Sequence, residues 1–270
     1  MIVERLFPPK SKLFNKWRHP LSQFGTVLDA QGLIQLFTIW TLTVAGIVLQ
    51  IGLVNRFVYW EWNGWLLGLI KLFLSTLLFY LFLHPKRLWF PGEKRLNEKE
   101  YASHFGIALL FLLIGWTNIN NTLFDLVKLL PYLAAFLGGL AIFQFIIEFD
   151  KTKGVWVNFH WNNKQPILMS SVGLFCIAIL LGFYFDDPII TSAGIVSVPF
   201  PLIALIWPSH VRHLQRARFY PLFIFAMFLC VRAPWFLIPL AILFYTLRIV
   251  NYFRYGIVYP SFGVDFSDNI

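Results

Sequence analysis

Hydrophobic residues in this chain fall in long blocks, and the polar residues gather in the gaps between them. A helix needs about 20 apolar residues to cross a hydrocarbon core of about 30 Å. Taking each block as a crossing predicts spans at about 32–54, 64–83, 104–116, 123–147, 166–185, 189–207, 220–231 and 236–250. Two blocks are too long for one crossing and must be divided. The first is cut at the polar run TNINNT (117–122), whose amides would find no partners in mid-bilayer. The second is cut at Arg232, Ala233 and Pro234. The expected fold is therefore an all-α, polytopic transmembrane bundle of about eight spans. A single transmembrane domain fills 31–250, flanked by an arm at 1–30 and a tail at 251–270.

The arm predicts a basic amphipathic helix. Arg5, Lys10, Lys12, Lys16 and Arg18 accompany Leu13, Phe14, Trp17, Leu21 and Phe24, which recur at spacings near three and four. Such a helix suits the anionic cytoplasmic leaflet. It contains no apolar core followed by small residues, so the first span is expected to act as an uncleaved anchor.

Charge orients the spans. Eighteen of the 22 Lys and Arg residues lie in the arm, in the second, fourth and sixth connections, or at the C-terminal end; Arg56 and Arg232 alone lie in the others. Cationic loops stay on the cytoplasmic side, so both termini are expected there. Each half of the chain then holds four spans with a short third one. Paired short spans mark binding sites in repeat-built transporters, although the halves share no residue-level similarity.

Composition agrees with this reading. The chain has 270 residues, of which 58% are hydrophobic and 13% charged; soluble domains carry roughly 25% charged residues. The net charge of +9 sits in clusters at span ends and forms no continuous polar face, which excludes nucleic acid as the expected partner. Cys176 and Cys230 lie inside apolar blocks and are expected to be buried, free thiols.

Candidate chemistry is sparse. Lys71, Asp125 and Lys128 are ionisable groups within predicted spans, where burial demands a partner or water. A Lys71–Asp125 pair is the natural expectation, serving either as an ion relay or as a structural bridge. Asp186 and Asp187 are adjacent in a turn and read as helix termination. His210 and His213 could share a helical face, but arginines flank them and no carboxylate or cysteine is near in sequence, so no metal site is expected. Nucleophile elbows, phosphate loops and dinucleotide fingerprints are absent. Residues 91–102 (PGEKRLNEKEYA) resemble the loop after the first aspartate motif of intramembrane prenyltransferases. No inner loop, however, carries the paired aspartates that hold magnesium diphosphate in those enzymes.

The inner loops combine cations with aromatics, a surface suited to phosphate head groups. The expected head-group residues are Arg87, Lys94, Arg95, His210, Arg212, His213 and Arg216, beside Trp89, Phe90 and a further arginine, Arg218. The leading functional expectation is binding of an amphiphilic, phosphate-bearing lipid or lipid-linked substrate at the cytoplasmic face of the cell membrane, by a transferase or a translocator. Two alternatives remain: a non-catalytic integral subunit with a membrane-protein partner, and an ion-coupled transporter using Lys71 and Asp125. The sequence names no cofactor and does not decide whether the protein is an enzyme.

Overall fold

The computed structural model describes residues 2–91, 95–118, 123–144, 148–150, 155–157, 164–207 and 211–256. In chain order the helices are α1 (Ile2–Leu6), α2 (Lys12–Ala30), α3 (Leu33–Val54), α4 (Trp65–Leu78), α5 (Glu98–Trp116), α6 (Leu130–Ala141), α7 (Lys164–Tyr184), α8 (Pro188–Ser197), α9 (Pro199–Ile206), α10 (Val211–Leu229) and α11 (Leu237–Tyr255). A π-helical turn (Phe79–Leu83) extends α4, and 3-10 turns flank α6. Six helical stretches among the described residues are long and apolar enough to cross a membrane: Leu33–Val54, Trp65–Leu83, Asp125–Gln144, Lys164–Tyr184, Pro188–Ile206 and Pro234–Tyr255. The protein is an integral membrane protein built from helices.

The two short spans expected at 104–116 and 220–231 belong to longer helices. Helix α5 starts at Glu98, where Asn97 and Glu100 form a reciprocal capping box that satisfies the first backbone donors. Its charged first turn lowers the local hydropathy and hides the helix start from a count of apolar residues. Likewise α10 starts at Val211 and takes in most of what the sequence suggested was a loop. Each helix has 19 residues, about 28 Å at 1.5 Å per residue.

Other boundaries also differ from expectation. The span at 189–207 is two helices meeting at Val198, because Pro199 and Pro201 cannot donate to the preceding turn. The last helix runs on to Tyr255, where Gly256 closes it in a left-handed cap. After Gln144 the chain leaves the helix and forms a two-stranded ribbon, Glu148–Asp150 against Val155–Val157, with Phe149 opposite Trp156. The Val-Trp-Val composition of the second strand favours extended backbone.

Small residues and hydroxyls set the helix packing, as expected where lipid supplies no hydrophobic drive between helices. Helices α3 and α5 cross at Gly46 and Gly115, so closely that a Cβ on Gly115 would overlap the Thr43 carbonyl. Between α3 and α4, Trp40 Nε1 donates to Thr76 Oγ1 at 2.9 Å, and the Thr43 and Ser75 hydroxyls lie 2.8 Å apart. Ser171 of α7 donates to the Gly138 carbonyl of α6 at 2.6 Å. The outward faces of α4 and α7 remain exposed and apolar, including Leu66, Ile70, Phe73, Leu180 and Phe183. Cys230 is buried, but Cys176 lies on the exposed side of α7, so its expected burial does not hold.

The arm packs against the far end of the chain. Phe14 stacks on Phe253 with ring centroids 5.2 Å apart, the Tyr252 hydroxyl donates to the Phe7 carbonyl, and Arg254 pairs with Asp29 at 2.8 Å. The first and last helices are thereby joined at one end of the bundle. Leu13, Trp17, Phe24 and Val27 stay exposed on the remaining apolar face of α2.

Candidate functional site

A cavity lies between α3, α6, α7, α8 and α10 and holds about 890 Å³, the open space at its mouth included. Ile34, Gln35 and Thr38 from the first turns of α3 line it, together with Phe136, Leu140 and Phe143 at the far end of α6. Ala193 and Ser197 of α8, and Pro221, Phe223 and Phe225 of α10, complete most of the wall. These positions share one end of the bundle, the end that carries the basic loops.

Arg218 is the one charged residue among those lining the cavity, and it is 2% exposed. Its guanidinium lies over the Phe143 ring, 4.7 Å from the centroid, an arrangement that holds the cation by the ring quadrupole. Leu214 and Ala217, one turn and one residue before it, are fully buried and fix the face of α10 that turns inward. The sequence placed Arg218 in a loop beside the expected head-group residues. Its helical position makes it part of the wall.

The long basic loop folds back under the cavity. Trp89, 2% exposed, donates from Nε1 to the Gln35 carbonyl at 3.0 Å and to Thr38 Oγ1 at 2.8 Å. Gln35 Nε2 donates to the Pro91 carbonyl at 3.1 Å. His104 stacks on Trp89 at 4.8 Å; its Nδ1 lies 2.6 Å from the Glu100 carbonyl, and its Nε2 accepts from the Phe90 N–H at 3.3 Å. That pattern assigns the neutral imidazole with its proton on Nδ1. These contacts pin the loop to the start of α3 and make Pro91 part of the cavity lining.

The expected head-group residues divide. Arg87 is exposed in a left-handed turn with φ 47°. Arg95 is exposed and donates from Nε to the Gln144 carbonyl at 2.9 Å. Arg212 falls in the first turn of α10, His213 is half-buried, and Arg216 is exposed. Lys94 and His210 lie outside the described residues. Of the others, Arg87, Arg95, His213 and Arg216 do not line the cavity.

The expected Lys71–Asp125 pair does not form. Lys71 Nζ donates to the carbonyls of Gly115 and Thr117, at 2.5 and 2.9 Å, where α5 ends. Asp125 instead pairs with Lys128 at 3.0 Å, three residues along its own helical turn. A cation on the orphan carbonyls of a helix C-terminus is favourable, so Lys71 has a structural assignment that the sequence did not reveal. Lys71→Met is expected to lower the midpoint of thermal unfolding in detergent, at a cost of about 1.5–3 kcal/mol for losing the charged donor. Circular dichroism melts would check this; an unchanged midpoint would remove the assignment.

A second polar cluster lies at the opposite end of the cavity's helices. Arg232, with 1% side-chain exposure, places Nη1 3.4 Å from Asp187 Oδ1 and donates from Nη2 to the Arg56 carbonyl at 2.9 Å. Tyr132 donates its hydroxyl to Asp187 Oδ2 at 2.6 Å. Asp187 also caps α8, its Oδ1 accepting from the Ile189 N–H at 3.1 Å, which is the turn role expected of it. Beside this network Asp186, at φ 56°, forms an exposed ion pair with Arg56. Gly52 leaves room for the Arg232 guanidinium, which a Cβ there would strike. The sequence showed Arg232 as a break between spans and Asp187 as a helix stop, and gave no sign that they meet.

Among the described residues, no three His, Cys, Asp or Glu side chains converge as a metal site would require. No protein-family model, curated protein or solved structure matches this chain.

Proposed function

We propose that the protein spans the membrane eight times with both termini in the cytoplasm, and takes an amphiphilic, phosphate-bearing lipid from the inner leaflet into the cavity beside Arg218. Helices α5 and α10, each about 28 Å long, add two crossings to the six apolar ones. The clustered cations support the orientation, and the clasp between α2 and α11 supports having both termini on one side.

The observation that carries the binding reading is a deeply buried guanidinium in an otherwise uncharged, largely aromatic and aliphatic wall. A guanidinium forks onto phosphate oxygens, and the apolar wall suits an acyl or isoprenoid chain. Arg87, Arg95 and Arg216, with His213, form the approach that concentrates anionic lipid at the mouth. A cavity open toward the cytoplasmic leaflet serves a transferase and a translocator equally well.

The test is lipid binding by the purified full chain. Native mass spectrometry with phosphatidic acid and phosphatidylcholine as probes is expected to show preference for the anionic lipid. Arg218→Gln should weaken phosphatidic acid binding by about tenfold or more, the equivalent of one charge-assisted contact, while Arg218→Lys retains part of it. Replacing Arg87, Arg95, Arg212 and Arg216 together by alanine should slow capture with a smaller loss of affinity. Wild-type affinity for phosphatidic acid in a folded Arg218→Gln protein would overturn the reading.

A further inference from the structure

The cavity and the buried ion pair occupy opposite ends of the same four helices. Along α3, Gln35 lines the cavity, and Gly52, about 25 Å away at 1.5 Å per residue, cradles Arg232. Helix α6 lines the cavity from Ala135 to Leu140, Phe143 follows in the 3-10 turn after it, and Tyr132 lies one turn before Ala135, against the cavity-lining Phe225. Asp187 caps the start of α8 while Ala193 and Ser197, further along, face the cavity; Arg232 follows the end of α10, whose earlier turns hold Arg218. The bundle is thus parted at its basic end and tied at the other.

We propose that the Tyr132–Asp187–Arg232 network is the outer gate of this cavity, and that the protein carries its amphiphile between leaflets by opening that gate while the basic end closes. This rests on the cavity reading of the preceding section and selects translocation from the two activities left open there.

The chemistry of the tie suits a gate. A plug of apolar side chains resists separation because parting exposes greasy surface to water. Two charged groups and a phenol can each be hydrated when apart, so the open state is accessible. Closed, they are held by mutual attraction at low dielectric, a balance that makes buried ion pairs serve as switches. The closed network is also incompletely satisfied: Arg232 Nε is buried with no acceptor among the described residues, which lowers the cost of releasing it. The tie engages four separate chain segments. Arg232 holds the connection after α3 through the Arg56 carbonyl, and Trp60 in that connection donates its N–H to the Val231 carbonyl at 2.7 Å. Movement of α10 is therefore felt at α3, α6 and α8 together.

The test reads gate position and lipid movement separately. In a protein whose native cysteines are replaced by serine, Ala193→Cys puts a thiol on the cavity wall. Its reaction with a membrane-impermeant thiosulfonate is followed from each face in right-side-out and inside-out vesicles. With the gate intact, labelling should be much faster from the basic face than from the opposite one. Asp187→Asn keeps the α8 cap but removes the charge that holds Arg232, and should raise labelling from the opposite face by about tenfold or more, as a two-state equilibrium would on losing one closed-state contact. Asp187→Leu with Arg232→Leu should keep the outer end shut. The same variant should slow movement of fluorescent phosphatidic acid between leaflets of phosphatidylcholine vesicles, while binding of the probe persists.

Tyr132→Phe, which removes one hydroxyl and no charge, supplies the milder lesion should Asp187→Asn fail to fold; a smaller rise in outer labelling is expected of it. Outer-face labelling that stays at the wild-type level in a folded Asp187→Asn or Tyr132→Phe protein overturns the gate, even where phosphatidic acid still binds. Equally fast labelling from both faces in the gate-intact protein overturns it as well. Loss of probe binding in the gate-intact protein instead overturns the cavity reading on which the gate depends.

Discussion

Asp187→Ala is expected to destabilise the protein by about 3–5 kcal/mol, the cost of leaving one member of a buried ion pair uncompensated. The loss compounds three effects. Arg232, with 1% side-chain exposure, keeps its charge without the carboxylate that neutralises it. The Tyr132 hydroxyl loses its acceptor. Helix α8 loses its N-cap, worth about 1 kcal/mol in comparable helices. Asp187→Asn should fall between this variant and wild type, since an amide still caps the helix. Replacing Asp187 and Arg232 together by leucine should recover most of the loss, because apolar residues of similar volume commonly match or exceed a buried pair in stability. Thermal unfolding of the four proteins in one detergent gives the comparison. If the double variant were as unstable as Asp187→Ala, the pair would not be the source of the stability, and lost capping and packing would be.

This pair shows what the sequence could and could not disclose. The apolar blocks and the clustering of cations between them were legible because each is a local property, and they indicated a polytopic helical membrane protein. The limits of several helices were not, since charged first turns escape a hydropathy count. Asn97 and Glu100 at capping-box spacing were the readable signal that α5 begins at Glu98. The meeting of Asp187 with Arg232 left no local trace. A turn aspartate looks the same whether it only caps a helix or also neutralises an arginine far along the chain. Arg218 was hidden differently: in sequence it stands close to Arg212 and Arg216, and only the inward face of α10, set by Leu214 and Ala217, marks it as buried while Arg216 is exposed. Lys71 was visible as an anomaly, but its partners are carbonyls, which a search for opposite charges passes over.

The crossing of α3 and α5 gives the sharpest contrast between two chemically identical changes. Gly106→Ala and Gly115→Ala both lie in α5 and both add one methyl group. Beside Gly106 there is nothing within 4 Å of the new carbon, so the change removes a flexible residue from a helix interior and should stabilise by roughly 0.5–1 kcal/mol or less. Beside Gly115 the methyl would overlap the Thr43 carbonyl and approach the Gly46 Cα. Backbone cannot swing aside as a side chain does, so α3 and α5 would have to separate along their length. Leu42 and Phe111, fully buried in the same core, would lose close packing, and Lys71 would lose its grip on the Gly115 carbonyl. Overpacking of a tight core commonly costs about 1–3 kcal/mol, and a backbone contact between helices belongs at or above the upper end. Gly115→Leu should therefore prevent recovery of monodisperse protein, while Gly115→Ala should melt well below wild type and Gly106→Ala at or slightly above it. Equal melting points for the two alanine variants would show that α3 and α5 do not cross at these glycines, and α3, whose first turns line the cavity, would have to be packed differently.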